Sequence, residues 1–230
     1  MDIFFACTFY FVAAVITLGV AHKIKRYWTT AAPFRIPLTP APATSAGVLY
    51  RIAGEVLLFK SLFKANKWIW LFGWVFHASL LLIMMRHLVY FQQQPALWIY
   101  QLQPYSRFAS YAMLCSLLGL LLRRLLIDRM RYISSPSDFL MLVLLLAIGS
   151  SGLSMLLFWP PDVIAVQRYF SGLLRFTIHP LPQHFLLFVH LFLVAVLIFI
   201  FPFSKLLHAP GVFFSPTLNQ ADNARQKRHQ

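Results

Sequence analysis

The chain is short of acid and short of cysteine. Six Asp and Glu residues stand against twenty Lys and Arg in 230 residues, and charged residues make up only 11% of the whole. Its two cysteines, Cys7 and Cys115, both fall in long apolar runs. No C-x-x-C-H stretch is present to attach a haem covalently, and no cysteine cluster to hold an iron–sulfur centre, so any prosthetic group must be held by other side chains. So little charge excludes an ordinary soluble globular domain of this size. Internal repeats are also absent.

What the chain has is apolar length. Hydrophobic residues make up 60% of it, and its mean hydropathy is +0.70. A bilayer core about 30 Å thick needs roughly 20 apolar residues per crossing helix. Five segments reach that length, near 3–21, 68–91, 108–127, 137–158 and 184–207. They predict an all-α membrane protein, a five-transmembrane-helix bundle, with residues 1–230 forming a single integral membrane domain. The first segment has no basic residue ahead of it and no small-residue cleavage site after it, so it reads as a retained span rather than a signal peptide.

A net charge of +14 invites a nucleic-acid reading, and its distribution refuses one. Lys23, Lys25, Arg26, Arg35, Arg51, Lys60, Lys64 and Lys67 lie between spans one and two. Arg123, Arg124, Arg129 and Arg131 lie between spans three and four, and Lys205, Arg225, Lys227 and Arg228 follow span five. The other two loops hold only Arg107, and Arg168 with Arg175. Basic loops alternate with nearly uncharged ones, which is the positive-inside pattern of a protein in a lipid bilayer. It predicts the N-terminus outside and the C-terminus in the cytoplasm.

The cytoplasmic loop 22–67 opens with the proline-rich "APFRIPLTPAPAT", which cannot be regular helix. Within it "GVLYRIAGEVLLFKSLF" is mostly apolar with Arg51, Glu55 and Lys60 interspersed, the pattern of a helix lying in the membrane interface or against a partner. Residues 208–230 form a cytoplasmic tail. Span four starts at "SSPSDF", with Ser135 as cap and Pro136 in the first turn. Gly149, Ser150, Ser151, Gly152 and Ser154 let a neighbouring helix or a flat ligand come close to it. The aromatic-rich loop 159–183 suits the outer interface.

Histidine carries the chemistry. His22 and His229 sit in basic segments, and His179 and His184 flank "PLP" ahead of span five, as interfacial polar residues do. His77 and His87 lie inside span two, where a polar side chain has to be compensated and is by default functional. Span five runs antiparallel to span two and carries His190 near the outside and His208 at its inner end. His87 is then level with His190, and His77 with His208. Two imidazole pairs at two depths are what two stacked b-type haems require. One length does not agree. Ten residues on span two rise about 15 Å, whereas eighteen on span five rise about 27 Å. Pro202 in "FPFSKLLHAPG" can kink the end of span five and turn His208 back.

With these residues placed, the chain resembles the cytochrome b subunit of membrane-bound nitrate reductase and its NarI-like superfamily, in which ten- and eighteen-residue histidine pairs also occur on helices two and five. Within that superfamily "EVLLFKSLFKANKWIWLFGWVFHASLLLIMMRHLVYF" and "FPFSKLLHAPGVFFSPTLNQADNARQKRH" are most similar to the M subunit of the DsrMKJOP sulfur-metabolism complex. The resemblance implies two haem b groups, His87 with His190 holding the outer one and His77 with His208 the inner. It implies electron exchange between membrane quinone and a cytoplasmic iron–sulfur subunit, DsrK-like and similar to heterodisulfide reductase, alongside other membrane and periplasmic subunits, in a prokaryotic inner membrane. It also places the quinone near the outer haem, where Arg86 has three readings: holding a quinone carbonyl, pairing with a haem propionate, or snorkelling to the interface. Proton release on quinol oxidation would pass through Asp162, His179, His184 or water. The residues from 27 to 67 and from 219 to 230 would dock partners.

Three other readings compete. One is a NarI-like cytochrome b of another respiratory reductase, such as nitrate reductase. A second is a transporter using the histidines as proton relays, which calls for acids among them, and the spans hold none but Asp138 at the cap of span four. The third is a haem-free anchor with the histidines as helix glue, which leaves their placement on two antiparallel spans unexplained.

Overall fold

The computed structural model describes residues 1–30 and 37–223. Arg35 with part of the proline-rich piece, and Arg225, Lys227, Arg228 and His229 of the tail, lie outside the described residues. Among the described residues there is no strand, and five helices are long and apolar enough to cross a membrane: Asp2–Thr29, Lys67–Phe91, Gln103–Leu126, Pro136–Leu157 and Phe185–Phe203. The all-α fold expected from hydropathy is therefore the fold that forms. The chain divides into two compact units, residues 1–12 with 68–197, and residues 13–67 with 198–230.

In chain order the helices are α1 (Asp2–Thr29), α2 (Ser45–Leu58), α3 (Lys60–Ala65), α4 (Lys67–His87), α5 (Leu97–Gln101), α6 (Gln103–Leu126), α7 (Asp128–Ile133), α8 (Pro136–Leu157), α9 (Val163–Leu173), α10 (Phe185–Ile200), α11 (His208–Gly211) and α12 (Pro216–Asn219). A turn of 3-10 helix, Leu88–Phe91, prolongs α4.

The first unit has two apolar cores. Phe76 of α4 packs with Met113 and Leu117 of α6, flanked by Leu142, Leu145 and Leu146 of α8. Phe5 and Ala6 of α1 pack with Met155 of α8, Tyr169 and Phe170 of α9, and Leu187 and Leu191 of α10. Close approach of α6 and α8 depends on Gly149, since a Cβ there would lie 2.8 Å from the Met113 side chain. At the start of α8 the Asp138 carboxylate accepts from the Ser135 amide at 3.0 Å and the Ser135 hydroxyl at 2.9 Å, and Arg124 lies 3.7 Å away. That satisfies orphan amides at the helix start and gives Asp138 a local capping role.

α9 lies across the end of α4. Gln167 donates its Nε2 to the carbonyls of Val89 at 3.1 Å and Gln92 at 2.7 Å. Tyr169, fully buried, donates its hydroxyl to the Asp2 carbonyl at 2.8 Å, and the Asp2 carboxylate accepts from the Leu181 amide at 3.2 Å. The start of α1 is thus tied into this layer by hydrogen bonds that α1 alone would leave unmade.

In the second unit the apolar stretch 47–63 is two helices rather than one. Phe59 adopts the left-handed conformation, φ 50° and ψ 46°, and the Glu55 carboxylate accepts from the amide and hydroxyl of Ser61 at 3.0 and 2.7 Å across the break. Residues 212–222 fold onto this region. The Leu38 amide donates to the Thr217 carbonyl at 3.0 Å, the Asp222 amide donates to the Pro42 carbonyl at 2.9 Å, and Phe214 lies against Tyr27 and Trp28 of α1 with ring centroids 5.8 and 6.3 Å away. The chain near Gly19 packs on Pro202, with only 2.6 Å between an added Cβ and the proline Cβ.

Span five departs from a straight helix to residue 207. α10 stops at Ile200, and 3-10 turns cover Phe201–Phe203 and Lys205–Leu207 before His208 opens α11. Pro202 has no amide to donate and forces this end. From His190 the α-helix continues for ten residues, about 15 Å, the same rise as from His77 to His87. The eighteen residues from His190 to His208 are therefore not one straight α-helix.

Candidate functional site

Each histidine read as a haem ligand has its Nδ1 engaged. His77 Nδ1 lies 2.7 Å from the Gly73 carbonyl and His87 Nδ1 lies 2.6 Å from the Ile83 carbonyl, both one turn back in α4. His208 Nδ1 lies 2.9 Å from the Lys205 carbonyl. A carbonyl oxygen only accepts, so the proton is on Nδ1 in each ring. In the neutral ring the lone pair is then on Nε2, the nitrogen that reaches furthest from the helix and the one fitted to bind a metal.

His190 reaches the same state by another route. Its Nδ1 lies 2.9 Å from the Ser151 hydroxyl oxygen of α8, and that hydroxyl donates its one proton to the Ile148 carbonyl at 2.9 Å. With its proton given to that carbonyl, the Ser151 oxygen accepts from His190, the arrangement that puts the imidazole proton on Nδ1. Room for the ring comes from Gly152, where a Cβ would lie 3.3 Å from His190 Cε1. The small-residue cluster of α8 thus admits neighbouring helices, as expected of it: Gly149 meets Met113 of α6, and Ser151 with Gly152 makes room for the His190 ring of α10.

His87 and His190 face each other with ring centroids 6.5 Å apart and planes 17° apart. That gap is too wide for van der Waals stacking. It fits one metal ion held between two imidazoles, because two metal–nitrogen bonds of about 2 Å and the depth of each ring add to about 6 Å. Tyr90 sets its ring edge-on to His87 at 5.7 Å. Among the described residues no three His, Cys, Asp or Glu side chains converge. Haem iron, whose in-plane ligands come from the porphyrin, takes only two such side chains.

His77 lies in the first unit and His208 in the second. The structure brings His87 and His190 together, and it describes His77 and His208 each within its own unit. Arg86 is half-buried and donates its Nε to Gln103 Oε1, at the start of α6, at 3.0 Å. Gln103 in turn lines a cavity of about 300 Å³ with Pro104, Ser106, Arg107, Phe108 and Leu156. Sequence reading named Arg86 and missed Gln103, for which nothing in the local pattern is a signal.

The other polar residues have structural partners. His184 Nδ1 accepts from the Leu187 amide at 3.2 Å and caps α10, and the His179 ring packs on Gly172. Asp162 caps α9 by accepting from the amides of Ile164 and Ala165 at 3.0 and 3.1 Å. Cys7 and Cys115 are exposed free thiols.

Five helices of spanning length and apolar composition define an all-α multi-pass membrane protein. No family model matches the sequence. It is 32% identical to the Hdr-like menaquinol oxidoreductase cytochrome b-like subunit of Archaeoglobus fulgidus, over 96% of this chain and 80% of that one. It is 29% identical to the protein of the same description from Archaeoglobus profundus, over 96% of this chain and 79% of that one. The chain belongs to the family of Hdr-like menaquinol oxidoreductase cytochrome b-like subunits.

Proposed function

We propose that this chain is a dihaem b membrane subunit that passes electrons between the quinone pool and a cytoplasmic iron–sulfur partner. The observation that carries the reading is the His87–His190 pair, 6.5 Å apart with both Nδ1 protons engaged. The relatives' description as menaquinol oxidoreductase subunits supports menaquinol as the donor. The stretches that resemble the M subunit of the DsrMKJOP complex support a DsrK-like partner and a place in sulfur metabolism, in the cytoplasmic membrane of a prokaryote with the N-terminus outside. For the second haem the proposed ligands are His77 and His208, on the sequence resemblance and on the Nδ1 bond of each ring.

Haem bound at these residues supplies an iron that cycles by one electron. The protein's part is to hold it and to manage what quinol releases. His87 and His190 present lone pairs from opposite helices, and the Ile83 carbonyl and the Ser151 hydroxyl keep both rings in the tautomer that does so. Oxidation of a quinol gives up two electrons and two protons. Of the acceptors considered for those protons, Asp162 and His184 each hold helix-end amides, so a proton taken there competes with a cap. Arg86 is the proposed quinone contact, with its guanidinium aimed by Gln103.

A pyridine haemochrome assay on the detergent-purified chain tests the first part. About two b haems per polypeptide are expected. None, in a folded protein made with ample haem, would return the histidines to the role of helix glue. Arg86→Ala is expected to keep both haems and to weaken quinol binding about tenfold, the loss of one charge-assisted hydrogen bond. A quinol titration matching that of the unaltered chain would count against the role.

A further inference from the structure

The positive-inside rule accounts for the side of the membrane on which the basic residues lie and not for the grouping of two of them around one cavity. Lys23 of α1 and Lys205 ahead of α11 line one cavity of about 620 Å³ in the second unit, and His208 lines the same cavity. Tyr27 and Ser215 add hydroxyls, and Phe214, set against Tyr27 with centroids 5.8 Å apart, supplies an aromatic wall. None of the six acidic residues lines it. Cofactor pockets span about 300–1,000 Å³, so the volume is of the right order. The lining residues combine apolar side chains, two lysines and a histidine, which suits a flat apolar ligand with an anionic edge.

Lys205 is linked to His208 twice. Its carbonyl accepts from His208 Nδ1 at 2.9 Å, and both residues line the cavity. The same short turn that orients the imidazole therefore also supplies a cation beside it. Haem b carries two carboxylates on one edge of its ring. Resting on the assignment of His208 as a haem ligand, we propose that this cavity receives that carboxylate edge and that Lys23 and Lys205 anchor it.

The test compares three full-length variants purified from membranes: Lys23→Gln/Lys205→Gln, Lys23→Arg/Lys205→Arg and His208→Ala. Haem content is read by pyridine haemochrome and midpoint potential by redox titration, and the haem assigned to His87 and His190 reports in each case that the chain has folded. His208→Ala is expected to lose one haem. The glutamine pair is expected to lower both the occupancy and the midpoint potential of that same haem, because removing positive charge beside the group disfavours adding an electron. The arginine pair is expected to restore both. If His208→Ala keeps its full haem content, the ligand assignment fails and the proposal with it. If His208→Ala loses a haem while the glutamine pair leaves content and potential unchanged, the anchor proposal alone is overturned. Unchanged haem with loss of co-purified anionic phospholipid would assign the lysines to a lipid headgroup, and would overturn it as well.

Discussion

Replacing His87 by alanine is expected to remove about half of the bound haem and to stop quinol from reducing what remains. The reason lies in how His87 is held. It closes α4, its Nδ1 is engaged by the Ile83 carbonyl, and its ring lies near that of His190 with centroids 6.5 Å apart. Alanine leaves His190 as a single imidazole, and a metal held from one side only is bound more weakly and exchanges more readily. The helix itself should persist, since alanine is the best helix former and His87 is its last residue. The remaining haem, assigned to His77 and His208, then serves as the internal standard for folding. Full haem content in this variant would remove the central support for the dihaem reading.

The spans were legible because the bilayer criterion is one of length and composition, which the sequence states directly. The nearness of His87 and His190 was legible for a related reason: a polar ring inside an apolar span stands out, and antiparallel order levels the two. Less was visible where tertiary contacts decide. The break at Phe59 depends on Glu55 reaching forward to Ser61, and nothing in "GEVLLFKSLF" announces it. The packing of residues 212–222 on the loop ahead of α2 rests on backbone hydrogen bonds, to which side-chain patterns are blind. Pro202 marked the end of span five, and its effect was foreseen as a kink, whereas α10 stops and gives way to 3-10 turns.

The partners of the ring nitrogens divide along the same line. For His77 and His87 the acceptor is a carbonyl one turn back in the same helix, a consequence of helical geometry. For His190 the acceptor is on a different helix, 39 residues earlier. Sequence could flag the small residues of α8, but the choice of Ser151 over Ser150 or Ser154 depends on the rotation of α8 against α10. Arg86 and Gln103 are likewise joined across the turn that separates α4 from α6.

Ser151→Ala is therefore the sharper test of how the site works, because it touches no proposed iron ligand. The hydroxyl accepts from His190 Nδ1 while donating to Ile148, and alanine removes the acceptor without adding volume. A buried Nδ1–H without a partner costs about 1–3 kcal/mol, and loss of such an orienting group lowers metal affinity by about 10–100-fold. The ring also becomes a weaker donor, so the oxidised iron is less well stabilised and the midpoint potential of the haem at His87 and His190 is expected to rise. Ser151→Thr, which keeps the oxygen, should restore the potential if Gly152 and its surroundings admit the methyl. A purely structural role for Ser151 would lower stability and leave the potential where it was. A rise confined to one of the two haems would identify Ser151 as a positioning residue and, through it, His190 as a ligand.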